Sequence, residues 1–165
     1  MFVLAIIPAR AGSKSIKNKN FIKIKNKPLI RYTIDEAKKS RLINQIYISS
    51  DSKRIIKLAK FHKINYLLRP KKISSDNAKT IESVKHLIKH FKKKNNFYPD
   101  YVTILQPTSP LRKSYHIDQA IKLIIKNKKS DSLVSCVKVR HSYNPSSLME
   151  IKSNGFLKFN KKLKR

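Results

Sequence analysis

Apolar runs alternate with amphipathic segments along most of the chain. Residues 2–7 form a continuous apolar run that Pro8 closes, and this length with this stop is typical of a strand buried on both faces. A helix is predicted over 28–40, because a proline suits its first position and its apolar residues recur at helical spacing. A buried strand followed by an amphipathic helix is the first half of a β-α-β unit.

The same alternation continues to about residue 139. It predicts, in order, a strand over 45–50, a helix over 53–61, a strand over 64–68, a helix with Ile81, Val84, Leu87, Ile88 and Phe91 on one face, a strand over 101–105, a helix marked by Ile117, Ala120, Ile121 and Ile124, and a strand over 133–139. This order predicts an α/β fold with three layers, in which a mostly parallel sheet carries helices on both faces.

Two divisions of the chain follow from this pattern. We expect residues 1–150 to form the main domain and residues 151–165 a basic tail. Within the tail, Asn154-Gly155 predicts a hairpin turn between two short segments.

The composition of the chain indicates its size class and the cellular compartment in which we expect it. The chain has 165 residues, of which 40% are hydrophobic, enough for one domain with a buried core. Cys136 is the only cysteine, which excludes an intrachain disulfide, and its apolar surroundings favour a buried, inert thiol. The first apolar run is too short for a signal peptide, and no run has the length of a membrane span. We therefore expect a cytoplasmic protein with no membrane partner.

The charge of the chain is strongly positive. Lys and Arg number 39 against nine carboxylates, a formal net charge of +30. A charge of this size raises the possibility of nucleic acid as a partner. The lysines are nevertheless scattered over helix faces and turns, which favours a solvated surface, so we do not expect a dedicated nucleic-acid site.

Candidate chemistry lies in the loops that follow strands, because ligands of parallel α/β sheets bind beyond the carboxyl ends of the strands. The first such loop, 9–20, holds four cationic side chains and Gly12, one of only two glycines. Arg10, Lys14 and Lys19 together have the charge to neutralise a polyphosphate. The spacing of a Walker loop or a dinucleotide fingerprint is absent. The residues alone leave a phosphate site and an ordinary lysine-rich loop both open.

Several blocks of the sequence match one family. They are IPARAGSK at 7–14, KN at 19–20, KPLI at 27–30, ISSDS at 48–52, LRP at 68–70, SSD at 74–76 and LQPTSPLR at 105–112. Over about residues 3–145 the chain resembles the acylneuraminate cytidylyltransferases, or CMP-sialic acid synthetases. The resemblance implies a Rossmann-like nucleotidyltransferase fold. It also implies transfer of CMP from CTP to an acidic 2-keto sugar, sialic acid or a related nonulosonate, with release of pyrophosphate.

The resemblance also implies roles for individual residues. Arg10 and Lys19 would be catalytic, stabilising charge on the phosphates. The nucleotide would be bound by Arg10, Gly12, Ser13, Lys14, Lys19, Asn20 and Thr80. Gln106 and Arg112 would face the acidic nine-carbon sugar. Arg112 would bind the carboxylate of that sugar. Asp51 and Asp76 would lie near the site.

The same family implies Mg²⁺ as cofactor and a homodimer as the assembly. Its members continue through a dimerisation segment and a late pair of aspartates that hold the metal, whereas Glu150 is the only carboxylate after Asp131 here. We therefore expect a chain that is C-terminally truncated relative to the family, and its metal ligands remain unassigned. Ser15 stands where the family usually has glycine. Two alternatives stay open: the same reaction on 3-deoxy-manno-octulosonate, and a truncated, non-catalytic relative that binds nucleotides or polyanions.

One further pair of residues has metal-ligand spacing. His86 and His90 lie four residues apart on the helix predicted around Val84, a spacing that can bind zinc. They fall on the polar side of that helix, so we expect a solvent-exposed pair.

Overall fold

A computed structural model defines the fold. It describes residues 1–12, 16, 18–75, 78–138, 149–151, 153 and 157–159, the last two strand segments by their backbone alone. In chain order the elements are β1 (Val3–Pro8), a 3₁₀ turn (Lys19–Phe21), β2 (Lys23–Ile24), β3 (Lys27–Pro28), α1 (Leu29–Lys39), β4 (Gln45–Ser50), α2 (Lys53–Phe61), β5 (Asn65–Leu68), a second 3₁₀ turn (Lys71–Ile73), α3 (Thr80–Asn95), β6 (Tyr101–Ile104), α4 (Ser114–Lys126), β7 (Met149–Ile151) and β8 (Leu157–Phe159).

A four-stranded parallel sheet forms the centre of the first compact unit, which spans Met1–Asp131. The strand order is β5-β4-β1-β6, with Leu4 of β1 opposite Gln45 of β4 and Val3 opposite Tyr101 of β6. The first five residues of β1 are fully buried, since the strand has a neighbour on each side and helices over both faces. The continuous apolar run at the start of the sequence is thus the central strand of the sheet.

Helices cover both faces of the sheet, as the sequence predicts. Side chains of α1, α2 and α4 pack in one apolar cluster with alternate residues of β1, among them Ala5 and Ile7. On the opposite face α3 packs alone, with Val84, Leu87 and Phe91 against the other set of strand residues. The predicted α/β class and the three layers are confirmed.

Two sequence predictions about α3 and its neighbourhood need correction. Ile81 was expected on the apolar face, but 49% of its surface is exposed, because the apolar cluster under α3 ends at Val84, one turn further along the helix. His86 and His90 are half-buried rather than solvent-exposed, since both lie close to polar side chains of the sheet.

The predicted strand over 133–139 is wrong over the described residues 133–138. No strand is formed there, and Val134 and Val137 are 78% and 84% exposed. Residues with high strand propensity form a strand only where they find a hydrogen-bonded neighbour, and this run has none in the described part of the chain. The predicted burial of Cys136 fails for the same reason, because its thiol is exposed.

The second compact unit is Ser132–Arg165. In it β7 and β8 pair antiparallel, with Met149 opposite Phe159 and Ile151 opposite Leu157. Antiparallel pairing of two short segments agrees with the prediction, whereas the predicted turn at Asn154-Gly155 lies outside the described residues. The expected domain boundary after residue 150 remains a prediction. Among the described helices, none combines the length and the apolar character needed to cross a membrane.

Candidate functional site

Hydrogen bonds continue the strand pairing past the carboxyl ends of the sheet. The N–H of Ala9 donates to the carbonyl of Ser49, the N–H of Arg69 to the carbonyl of Ser50, and the N–H of Leu105 to the carbonyl of Ile6, each at 2.9 Å. The loops that follow these strands therefore begin at fixed positions along the same edge of the sheet.

Three hydrogen bonds fix the first loop, two of them to neighbouring segments and one within the loop. The N–H of Ala11 donates to Oδ1 of Asp51 at 2.7 Å, which joins the loop to the end of β4. Nη1 of Arg10 donates to the carbonyl of Ser75 at 3.2 Å, across the segment that follows β5. Nδ2 of the buried Asn20 donates to the carbonyl of Arg10 at 3.2 Å, so the loop returns to its own start. Arg10 and Asn20, which the resemblance assigns to one nucleotide site, are thus brought together.

For the other predicted site residues of this loop, the structure gives fewer contacts. Lys19 is half-buried at the start of the 3₁₀ turn, next to Asn20 and hence close to the backbone of Arg10. Gly12 is exposed, and a Cβ added to it would meet no atom within 4 Å. Steric crowding in this structure therefore does not require a glycine at position 12. Ser13 and Lys14 lie outside the described residues.

Arg69 is a buried cation at the same edge. It is only 9% exposed, and its Nε donates to Oγ of the fully buried Ser49 at 2.8 Å. Its Nη2 is buried without a hydrogen-bond partner. Burial lowers the pKa of Arg69, Asp51 opposes this shift, and Arg10 adds to it. A guanidinium keeps its proton at neutral pH even so. Arg69 is therefore a charged donor with capacity for another acceptor.

Charged side chains meet at this edge. Asp51 and Arg10 both act electrostatically on Arg69, Asp51 favouring its charged form and Arg10 opposing it. Two guanidinium groups, one of them largely removed from water, are suited to bind an anionic ligand. The arrangement can thus neutralise phosphate oxygens through positioning and charge.

The loop after β6 is braced by its own arginine. Nη2 of Arg112 donates to the carbonyl of Gln106 at 3.2 Å, while its Nη1 is buried without a partner. Burial lowers the pKa of Arg112. Gln106 itself is exposed, and the register of β6 continued beyond Ile104 places it beside Pro8 of β1. Gln106 and Arg112 are therefore brought together, next to the start of the first loop.

Thr80 lies at the first position of α3 and is exposed. Its carbonyl accepts a hydrogen bond from Oγ of Ser83 at 2.7 Å, a contact within the helix. Contacts between Thr80 and the first loop are not recorded in the described part of the chain. Asp76 lies outside the described residues.

Metal ligands are sparse in the same part of the molecule. Among residues 1–12, 16, 18–75, 78–138 and the short described segments after them, no three His, Cys, Asp or Glu side chains cluster as a metal site would need. The spacing of His86 and His90 therefore gains no third ligand from the described residues. Asp51 is the carboxylate that directly follows a strand of the sheet.

Sequence reasoning did not assign Arg69 to the site. Its block, Leu68-Arg69-Pro70, was noted only as a resemblance. The signal that could have found it is position, because an arginine directly after a predicted strand is carried to the same edge as Arg10.

A mostly parallel sheet in the order β5-β4-β1-β6, with helices on both faces, is the architecture of the Rossmann-like nucleotidyltransferase fold. A CMP:2-keto-3-deoxy-manno-octonic acid synthetase solved with CTP has the same fold, with a TM-score of 0.63 over 78% of this chain and 49% of its own length, at 16% identity. The sequence profile of the cytidylyltransferases matches residues 4–154. The chain belongs to the cytidylyltransferase family.

Two curated relatives refine the comparison. The N-acylneuraminate cytidylyltransferase of Escherichia coli O18:K1:H7 is 37% identical over 89% of this chain and 33% of its own length. The CMP-N,N'-diacetyllegionaminic acid synthase of Legionella pneumophila is 37% identical over 95% of this chain and 66% of its own length. The chain thus spans between a third and two thirds of these two relatives.

Proposed function

We propose that this chain binds CTP and transfers CMP to the anomeric oxygen of an acidic 2-keto sugar, releasing pyrophosphate. The observation that carries the proposal is the convergence of Arg10 and Arg69 around Asp51 at the carboxyl edge of the sheet, in a chain that belongs to the cytidylyltransferase family. Two cations on fixed strand ends offset part of the negative charge of a triphosphate.

The first loop is proposed to hold the triphosphate. Arg10 and Lys19 are the catalytic cations, which stabilise the negative charge that builds on the phosphate oxygens during transfer. Gly12, Ser13 and Lys14 complete this part of the site. Asn20 supports it by holding the carbonyl of Arg10, so its contribution includes the shape of the loop as well as contact with the nucleoside.

Arg69 and Thr80 are proposed to face the nucleoside end. The unpartnered Nη2 of Arg69 is a donor fixed by the bond from Nε to Ser49, and an oxygen of the nucleotide would satisfy it. Thr80 presents an exposed side chain at the start of α3.

Gln106 and Arg112 are proposed to hold the sugar. Gln106 is exposed at the edge, while Arg112 uses one nitrogen to brace the backbone of that same residue. The unpartnered Nη1 of Arg112 is the donor for the sugar carboxylate. The legionaminic relative aligns with 95% of this chain, which supports nine-carbon acids as the first sugars to test.

The reaction is an in-line displacement. The anomeric oxygen of the sugar forms a bond to the α-phosphorus of CTP, and the bond from that phosphorus to the α,β-bridging oxygen breaks. Pyrophosphate leaves with the bonding pair, and the proton of the anomeric hydroxyl passes to a base or to solvent. Transfers of this kind depend on positioning and charge neutralisation rather than on a covalent enzyme intermediate.

A divalent ion is part of the proposal. Mg²⁺ is usually held by one or two carboxylates together with phosphate oxygens and water, and Asp51 offers one carboxylate beside the cations. When bound, such an ion would supply positive charge that offsets the charge of the phosphates. Oδ1 of Asp51 accepts the N–H of Ala11, so the second carboxylate oxygen would be the one that holds the ion.

The test is release of pyrophosphate from CTP and Mg²⁺ by this chain, with N-acetylneuraminate, pseudaminate, legionaminate and octulosonate supplied separately. We expect release with one of the nine-carbon acids. Release with octulosonate alone would replace the proposed sugar. Silence with all four sugars, together with saturable CTP binding, would indicate a nucleotide-binding portion that needs further chain for activity, and absence of CTP binding would overturn the proposal.

A further inference from the structure

Unpartnered polar atoms gather between α3 and the sheet. Five buried side-chain nitrogens or oxygens lack a hydrogen-bond partner in the described part of the chain, and three of them lie here. These three are Nη2 of Arg69, Nδ1 of His86 and the hydroxyl of Tyr47. Buried polar atoms without partners are uncommon in folded proteins, so a group of three on one face calls for a physical explanation.

The geometry places His86 over Arg69. Tyr47 and Ser49 are two residues apart on β4 and so share the face that α3 covers, and Arg69 is bonded to Ser49. The ring of His90 is edge-on to Tyr47, with centroids 6.1 Å apart. Four helix residues and two strand residues each advance by about 6 Å along their element. Because His90 lies opposite Tyr47, His86 is expected to lie opposite Ser49 and the arginine bonded to it.

We infer that His86 is a positioning residue for Arg69. Its neutral imidazole accepts a hydrogen bond at Nδ1 from Nη2 of Arg69, directly after a small rotation of the ring or through one bridging water. This bond and the bond to Ser49 fix both ends of the guanidinium. The consequence for nucleotide binding rests on the function proposed above.

Donor and acceptor are matched in this pair. A guanidinium nitrogen is always a donor, whereas the unprotonated nitrogen of a neutral imidazole is an acceptor. Leaving both buried and unpaired costs more free energy than the bond itself contributes, which favours pairing. Protonation of His86 would turn the acceptor into a donor and place a second positive charge beside Arg69.

The surroundings keep His86 neutral. Burial lowers its pKa, and the nearby His90 and Arg69 lower it further. The charged and titratable groups that act on it are Arg69 from the segment after β5 and His90 from α3 itself. Tyr47 of β4 lies against His90, and Arg10 and Asp51 act on Arg69. A histidine whose pKa lies below its ordinary value is uncharged at neutral pH.

The first experiment needs no ligand. The pKa of His86 is measured by NMR in the ligand-free chain and in Arg69→Gln, with His86→Gln used to assign the signal. We expect the pKa of His86 to rise in Arg69→Gln because a neighbouring positive charge has been removed, while the pKa of His62, at the end of α2, stays unchanged. An unchanged pKa of His86 would overturn the inference.

The second experiment measures the affinity for CTP at about pH 8 and at a pH about one unit below the pKa of His86 that the NMR titration gives, where the ring is mostly protonated. His86→Gln keeps an acceptor that does not titrate, and His86→Leu has none. We expect His86→Leu to bind CTP about fivefold more weakly than the wild type at the higher pH, and His86→Gln to bind near the wild-type level. Between the two pH values the wild type should lose about fivefold more affinity than His86→Gln.

The outcomes separate the two proposals. Equal affinity of His86→Leu and the wild type at the higher pH would overturn the positioning role. His90→Gln is the matched control on the same helix and should bind CTP at the wild-type level at the higher pH. If the wild type bound no CTP at either pH, the proposed function would fail, and the NMR measurement would still decide the contact between His86 and Arg69.

Discussion

At the scale of single residues, the site depends on a polar pair inside the sheet. Ser49 is fully buried within β4 and accepts the hydrogen bond from Nε of Arg69. The pair keeps a charged group at the carboxyl edge of the sheet without full exposure to water. Ser49 is therefore as much a part of the site as the cation it holds.

Ser49→Ala should lower the free energy of unfolding by about 1–3 kcal/mol, because it leaves Nε of a buried guanidinium without its acceptor. Urea unfolding followed by circular dichroism measures the change. Ser130→Ala is the control, since Ser130 is exposed and its recorded bond is through the backbone. Equal stability of the two variants would contradict the role assigned to Ser49.

Lys19→Ala should reduce pyrophosphate release by at least about a hundredfold with the fold intact, because a preorganised charge on the transferring phosphate is lost. Lys23→Ala is the matched control: this lysine lies four residues later and is exposed on β2. Turnover is measured at saturating CTP and sugar. A Lys19→Ala variant with wild-type turnover would remove Lys19 from the mechanism.

At the scale of elements, acidic side chains join α1 and α4 to each other. The carboxylate of Asp118 on α4 accepts hydrogen bonds from the hydroxyl of Ser40 and from the N–H groups of Arg41 and Leu42, just after α1. Glu36 on α1 accepts the N–H of Ser114, the first residue of α4. Glu36 thus supplies an acceptor to an N–H at the start of α4, where an α-helix leaves its backbone donors unsatisfied. Asp118 supplies one to the N–H groups of the chain that leaves α1.

Asp118→Ala should destabilise the chain by about 1–3 kcal/mol, since several donors lose one common acceptor. The free energy of unfolding is compared with that of Asp131→Ala, whose side chain is exposed at the end of the first unit. We expect little change in the control. A similar loss in both variants would show that the Asp118 contacts contribute nothing particular.

Glu36 should make part of the stability depend on pH. Burial acts to raise the pKa of Glu36, but the N–H of Ser114 and the charges of Lys39 and Lys113 outweigh it, so the pKa lies below the ordinary value of 4.5. The stabilisation is therefore present above that ordinary value and is lost as the pH falls through the lower, folded-state value.

The measurement is the difference in unfolding free energy between the wild type and Glu36→Gln as a function of pH. We expect a constant advantage of the wild type, below about 1 kcal/mol, from neutral pH down to about pH 5, and a decline at more acidic pH. An advantage that grew on acidification would contradict the assigned direction.

The elements themselves were largely predictable. The helix over 53–61 agrees at both ends with α2, and the strand over 45–50 with β4, because each has a clear apolar pattern. The run 133–139 shows the limit of this reasoning, since composition gives strand propensity and only a neighbouring strand gives a sheet.

The arrangement of the candidate site was predictable in part. The resemblance assigns Arg10 and Asn20 to one nucleotide site, and a hydrogen bond joins them, while their binding of a nucleotide stays a prediction. The position of Arg69 directly after β5 indicates the same edge, but its burial and its bond to Ser49 come from packing between elements distant in sequence, which no local pattern encodes.

At the scale of the whole molecule, the net charge of +30 acts independently of the site. Lys85, Lys89 and Lys92 line a groove on α3 with Ile88 and Tyr98, and similar lysines occur on other faces. A surface of this kind attracts any polyanion without regard to sequence.

We therefore expect duplex DNA to bind weakly and to lose affinity by about a thousandfold or more between about 50 mM and about 200 mM salt. A preference for CTP over ATP and GTP should persist at the higher salt concentration, because it depends on contacts with the base. Fluorescence anisotropy with labelled DNA and competition by the three nucleotides measure both quantities. Equal binding of all three nucleotides, lost in salt together with DNA binding, would favour the polyanion-binding alternative.

The central position of β1 has a consequence for how the protein is made. The ribosome synthesises this strand first, yet its two neighbours, β4 and β6, are completed only at Ser50 and Ile104. Strands so distant in sequence pair late, because the conformational entropy of the long connecting segment is lost before the contacts between the strands can stabilise the pair. The nascent chain therefore carries a bare apolar segment, followed at once by the cationic loop, until β6 has emerged. Nascent chains arrested before residue 101 should bind holdase chaperones through residues 2–7, and those arrested well after Leu105 should release them.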